Sequence, residues 1–522
     1  MGKQRSGATS RRSTHRRALS IAGRAACVVM AVLPPATGAL AADVGRAVPP
    51  PPTATVTDAA SATVPVGETQ MAFLLQLARD SAQGDRGVPL EAIREQIARA
   101  VVTHPEALAA RATQQAANEA TKEIGAAALP QIDTRLDAAR RDNQASYYLG
   151  VPARRYGQGS VGINLRQSVY DFGAIDAAVG VGRERETAVT ARAENRVGDL
   201  ALRAIQAWLE VYRSRMRLEL ARLNAQALET SVSFLRQRYE LGAGLVSDIW
   251  RAQSRQADAR AGVAAAQARV RTAESTYREV FRETAPAVLQ MPRSPPLDIA
   301  GLTADPGAVV REFPAVRSAE AARRAAERDV DATERRTLPQ IALELNALRR
   351  DVTGPDPAGN DLSATIVLRY NFYTGGADTA RIGQADARAT EAAEQARNIS
   401  LQVERALEQA LADEENSAAL LAARREEVTL AASSLQAVRE LFASRRGSLL
   451  DVLSAQESLN AAGLGLVDAQ VEQALARWRV AYFTPAFWPL VGLSGWGAPP
   501  APAAPPASPE PALAPPAMPE AP

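Results

Sequence analysis

The chain has 522 residues, and 60 Lys and Arg against 58 Asp and Glu give it a formal charge of +2. That balance supplies no electrostatic case for nucleic-acid binding. One cysteine, Cys27, and two histidines, His15 and His104, leave no disulfide framework and argue against histidine-based catalysis or a histidine metal site.

Residues 1–41 read as a signal peptide. An Arg-rich start (Arg5, Arg11, Arg12, Arg16, Arg17) precedes an apolar stretch, and Ala39-Leu40-Ala41 offers an A-x-A cleavage site. Arg16-Arg17 could be read as a twin-arginine signal, but an ordinary secretory n-region is preferred. Cleavage would leave a chain without cysteine and without an apolar run of about 18 residues, hence without a transmembrane helix. Arg24-Ala25-Ala26 before Cys27 lacks the apolar residue of a lipoprotein signal, so the chain reads as unlipidated. Residues 42–88 read as a linker, with one possible short helix over 69–82. Pro89-Leu90-Glu91 then opens a clearer helix that stops before His104-Pro105, where proline just past a helix end is ordinary punctuation.

An internal repeat is the strongest signal. Pro105 and Pro314 are 209 apart, as are Leu129-Pro130-Gln131-Ile132 and Leu338-Pro339-Gln340-Ile341. Gly173 and Gly376, Gly244 and Gly447, and Asp248 and Asp451 are each 203 apart. The first repeat spans 89–290, with hairpin 131–172, long helix 174–240 and returning helix 248–283. The second spans 291–484, with hairpin 340–373, long helix 377–442 and returning helix 451–483. Each long helix would be a rod of roughly 100 Å, which no ordinary globular domain can hold. The helix before each hairpin and the returning helix together nearly equal the long helix, so the two would stack end to end beside it. Residues 485–522 read as a Pro/Ala-rich disordered tail, with Pro485, Trp488, Pro489 and Trp496 offering at most local packing.

The hairpin segments alternate with period two. Ile132, Thr134, Leu136 and Ala138 alternate with Asp133, Arg135 and Asp137, and Val161, Ile163 and Leu165 alternate with Gly162, Asn164 and Arg166. Ile341, Leu343 and Leu345, then Ile366, Leu368 and Tyr370, repeat the pattern in the second half. Strands of about ten residues with one apolar face suit an outer membrane. Four strands cannot close a barrel, and an open edge cannot sit in lipid, so membrane strands here require oligomerisation. The fold class expected is mainly α with membrane β.

The duplicated halves, the long helices after Tyr170-Asp171-Phe172-Gly173 and Tyr373-Thr374-Gly375-Gly376, and the Leu-Pro-Gln hairpin starts resemble the TolC family of outer-membrane efflux and secretion proteins, over roughly residues 89–483. The resemblance implies a homotrimer with a 12-stranded outer-membrane barrel on an α-helical periplasmic tunnel. It implies as partners a periplasmic adaptor protein and an inner-membrane transporter, most readily of the ABC type, and no cofactor. The Tyr-Asp-Phe-Gly form and the missing lipidation cysteine are more like members serving type I secretion of a toxin-like protein. The resemblance also places a periplasmic gate at the turns between long and returning helices. Its candidates are Asp451, Asp248, Ser247, Arg445 and Arg446, with Gly242, Gly244 and Gly447 as turn glycines. Ser454 stands where a second acid often follows, and Arg445-Arg446 precede Gly447 where the family more often has glycine first.

Other readings compete. Asp248 and Asp451 could serve as helix N-caps. Drug or metal efflux is the alternative cargo, and a periplasmic coiled-coil adaptor or scaffold is the alternative class. Gly180-Val181-Gly182 and Gly242-Ala243-Gly244 lack the preceding buried strand and later acid of a dinucleotide site, and no nucleophile–base pair marks an enzyme. Acidic and Arg clusters such as Asp413-Glu414-Glu415 and Arg323-Arg324 read as solvated helix faces.

Overall fold

The computed structural model describes residues 67–82, 90–143, 154–242, 244–350, 359–444, 446–493 and 495. The signal-peptide reading of 1–41 therefore lies outside the described residues. All described residues fall in one unit, Asp58–Pro522.

The elements follow the order α1 (Glu68–Ala82), α2 (Leu90–Thr103), α3 (Pro105–Ala126), β1 (Gln131–Asn143), β2 (Arg154–Tyr170), α4 (Ala174–Glu240) and α5 (Val246–Phe281). Then come α6 (Ile299–Ala304), α7 (Pro306–Glu312), α8 (Pro314–Arg335), β3 (Gln340–Arg350), β4 (Gly359–Arg369), α9 (Ala377–Ala443), α10 (Leu449–Tyr482) and α11 (Phe487–Leu490). His104 ends α2 and caps α3: its backbone is extended, and its Nδ1 accepts from the Glu106 N–H at 3.2 Å. The 209-residue offset maps α2 onto α6 and α7. Pro306 cannot donate a backbone hydrogen bond, so one helix becomes two, and the Asp305 carboxylate caps the second through the Ala308 N–H at 2.9 Å.

Both long helices have 67 residues and open after a left-handed glycine, Gly173 at φ 78° and Gly376 at φ 86°. Only glycine adopts that conformation without a steric cost. Asp171 of the Tyr-Asp-Phe-Gly stretch holds the first turn of α4 by accepting from the N–H groups of Gly173 (3.0 Å) and Ile175 (2.7 Å). Against α4 lie α3, with Asn118 donating to Glu186 at 2.9 Å, and α5, with Arg215 donating to Glu274 at 2.7 Å. These two shorter helices sit end to end along the long one. The seam of α5 is Ala252, Ala259, Ala266 and Ala273, a seven-residue repeat of small side chains that lets two helices approach closely. Laterally, α3 and α5 pack on α4, α4 packs on α8 and α10, and those two pack on α9.

The four strands form one antiparallel sheet in the order β1-β2-β3-β4. Ile132 pairs with Leu165, Leu165 with Leu345 and Leu345 with Ala364, so the apolar residues share one face. That face is open, with Leu136 75% and Leu362 84% exposed. On the polar face Asn164 donates to Asp133 at 3.2 Å, and Glu344 lies between Arg369 (3.1 Å) and Arg166 (4.0 Å). The strands of the first hairpin, 13 and 17 residues, are longer than the expected ten, and those of the second have 11 each. No helix among the described residues is long and apolar enough to cross a membrane.

The short helix expected within 42–88 is present, and one expectation changes. Residues 68–82 form a docked helix whose Leu74 is fully buried among Leu220, Val428, Leu459 and Leu466. The tail does not begin at 485. Phe487, Val491 and Leu493 are buried against Ile93, Val197 and Trp478, and Phe487 meets Tyr482 edge-on at 5.1 Å. The apolar area these three hide offsets the order the segment takes up. Phe487→Ala should cost about 3–5 kcal/mol, read as a lowered melting temperature. A chain ending at Leu493 should melt like the full chain.

A candidate gate at the helix turns

The long and returning helices meet in two short turns, 241–245 and 444–448. In the first, Gly242 takes φ 73° and its N–H donates to the Tyr239 carbonyl at 2.9 Å. Gly244 and Gly447 are glycines for another reason. A Cβ on Gly244 would lie 3.2 Å from the Tyr239 nitrogen, and one on Gly447 3.1 Å from the Phe442 nitrogen. Each turn passes directly over the backbone of the helix it leaves. In the second turn the N–H groups of Arg446 and Gly447 both donate to the Leu441 carbonyl, at 2.9 and 3.0 Å. These bonds satisfy a carbonyl that the helix end would otherwise leave open. Arg445 lies outside the described residues.

The returning helices begin earlier than the 248 and 451 read from sequence, and neither aspartate is an N-cap. Both occupy the third helical position. Ser448 caps α10: its Oγ accepts from the Asp451 N–H, and the Asp451 carboxylate accepts from the Ser448 N–H, each at 3.2 Å. This reciprocal arrangement is a capping box. Its Ser-x-x-Asp spacing is present in the sequence. The first turn has Leu245 at the capping position and no side-chain cap, and the Asp248 N–H bonds to the Leu245 carbonyl at 3.1 Å. A carboxylate in a first helical turn is stabilised by the positive end of the helix dipole.

Asp451, Ser247, Arg446 and Ser454 are exposed, and Asp248 is half-buried. The two turns lie at one end of the molecule, because Ile249 and Ala252 share a core with Leu449 and Leu453. Arg238 of α4 reaches over Phe442 of α9, 5.1 Å from its ring centre, and joins the hairpins there. Around this end Leu241, Leu245, Trp250, Leu441 and Leu450 stay exposed. Two carboxylates, the exposed Asp451 and the half-buried Asp248, thus stand on the first turns of two adjoining helices. Among the described residues no group of three or more His, Cys, Asp or Glu could hold a metal ion.

Residues 97–280 and 309–481 match the family described as "Outer membrane efflux protein", and the chain belongs to that family. It is a transport channel of the outer membrane with a periplasmic tunnel. The chain is 30% identical over 359 residues to outer membrane efflux protein BepC of Brucella suis biovar 1, covering 66% of this chain and 75% of BepC. It is 29% identical over 153 residues to outer membrane protein TolC of Vibrio cholerae, covering 29% of this chain and 33% of that one. The fold is similar to that of the outer membrane protein VceC of Vibrio cholerae, with a TM-score of 0.66 at 17% identity over 77% of this chain and 96% of that chain. It is also similar to the outer membrane channel MtrE of Neisseria gonorrhoeae in its open state, with a TM-score of 0.65 at 16% identity over 77% and 89%.

Ser448→Ala should loosen the first turn of α10 by about 0.5–2 kcal/mol. Amide exchange at Asp451 should speed up, while exchange at Asp248, which has no side-chain cap to lose, stays unchanged.

Proposed function

We propose that three copies of this chain close into a passive duct, a 12-stranded barrel on a helical tunnel, serving as the outer-membrane component of a tripartite export system. The observation that carries the reading is that the sheet and the helical wall end at matching edges. β1 is one edge of the sheet, and α3, which leads into it, is with α5 the corresponding edge of the wall. β4 is the other edge, and α9, which follows it, is the other side of the wall. Unpaired strand edges cannot face lipid. Joining β4 of one copy to β1 of the next, and α9 to the next copy's α3 and α5, satisfies both layers at once. Such a head-to-tail contact makes a ring when the rotation closes. Leu401, Leu430 and Leu441 are exposed on α9. Their spacings of 29 and 11 residues put them on one helical face at about 100° per residue, ready for a neighbour.

Three copies of Asp451 near a threefold axis would form a carboxylate ring at the periplasmic mouth, joined by Asp248, Ser247 and the arginines Arg445 and Arg446. Carboxylate rings favour cations. Energy would come from an inner-membrane transporter of the ABC type, reached through a periplasmic adaptor. The Tyr170-Asp171-Phe172-Gly173 form supports type I secretion of a protein. Drug or metal efflux is the second reading, favoured by the name of BepC as an efflux protein. The adaptor or scaffold reading has no use for four membrane-suited strands.

Light scattering on detergent-extracted outer membranes should give the mass of a trimer; a monomer or dimer would end this reading. In planar bilayers Asp451→Ala should raise single-channel conductance and weaken cation selectivity, and unchanged values would remove Asp451 from the gate. Loss of a secreted protein on gene deletion, with drug tolerance intact, would decide the cargo, and the converse would favour efflux.

A further inference from the structure

The helix α1 belongs to neither of the two segments that match the family, 97–280 and 309–481. It nevertheless packs on α9, α10 and α4. It runs antiparallel to α9. Glu68 at its start pairs with Arg439 at 2.8 Å, and Ser81 at its end accepts from the Nε of Arg425 at 2.8 Å. The start of α1 therefore lies near the turn end of the molecule, within the last turns of α9 and the first turns of α10.

Its seat is specific. Leu74 occupies a notch that exists because residue 463 is glycine, since a Cβ there would lie 2.5 Å from a Leu74 methyl carbon. Gln70, also buried, donates to Asn460 at 3.0 Å and accepts from Gln456 at 2.5 Å. Leu220 and Met216 of α4 complete the cluster around Leu74. One 15-residue helix thus ties the second hairpin of helices, α9 and α10, to the long helix of the first. The tie is modest. The helix buries Leu74 and Ala78, packs Met71, Phe73, Leu75 and Leu77 half-buried against the same cluster, and its far end, at Leu77, Asp80 and Ser81, borders a cavity of about 720 Å³. A contact of this size is strong enough to hold a hairpin and weak enough to be released.

We propose that α1 is an intramolecular clasp that holds the α9–α10 hairpin against α4 and keeps the two turns together, so that its release lets the periplasmic end open. The inference rests on the duct reading above.

The test uses the full chain in planar bilayers, with light scattering as the check on assembly. Leu74→Asp sets a carboxylate in the notch and should unseat α1. Trypsin should then cut at Arg79, and conductance should shift to higher values while the trimer mass is kept. Cleavage at Arg79 with unchanged conductance overturns the clasp. A charge swap guards against a Leu74→Asp variant that fails to assemble: Glu68→Arg should raise conductance, and adding Arg439→Glu should bring it back. No rise, or a rise that the swap does not reverse, also overturns it. A wild-type trimer that conducts while these variants behave like it rejects the clasp alone; a wild type that neither trimerises nor conducts rejects the duct and the clasp together.

Discussion

The backbone groups on the open edges of the β1–β4 sheet constrain the rest of this molecule. Among the described residues each edge strand pairs with another strand on one side alone, and in the bilayer setting proposed for the sheet water cannot supply the missing partners. The hairpins are inserted between helices, so neighbours in the sheet are connected to neighbours in the wall. β1 follows α3 and β4 precedes α9. Whatever satisfies the strand edges must at the same time cover the sides of α3, α5 and α9, because the two layers share their boundaries. On the proposed assembly, the exposed leucines on α9 and the outer faces of α5, which buries an Ala seam against α4, would be covered by a neighbouring copy.

The two halves share an order of elements but not an environment. α10 is covered by α9, α4 and α1, and it buries bulky residues such as Leu459, Leu466 and Trp478. α5 stands at the edge and buries mostly alanine over its middle. The asymmetry extends to the turns. Ser448 and Asp451 form a closed pair of hydrogen bonds at the start of α10, while Leu245 leaves α5 without a side-chain cap. The two hairpins are held together at this end by a small apolar core and the Arg238–Phe442 contact. Those are surface-proximal, modest interactions, which suits the proposed gate.

The family match begins at residue 97. α1, which lies before it, packs on α4, α9 and α10. It lies outside the segments that match the family, and its contacts are with side chains of α4, α9 and α10 and a notch at Gly463.

Much of this molecule is set by local sequence. Period-two alternation in 132–138 and 161–165 marked strands, Pro105 and Pro314 marked helix starts, and the paired glycines marked the turns, because each of these acts through its immediate neighbours in the chain. The tertiary structure decided what distant segments do. Gln70 meets Asn460 across 390 residues of sequence, and no local pattern announces that meeting or the notch that receives Leu74. Phe487 and Val491 looked like the start of a tail because their partners, Ile93 and Trp478, are brought to them only by the packed helices. The role of Asp451 as the third residue of a capping box, with Ser448 as the cap, was written in the spacing, but the true helix start had to be known before it could be assigned. Short-range periodicity fixes which residues form helix or strand; which surfaces touch depends on contacts that local sequence does not encode.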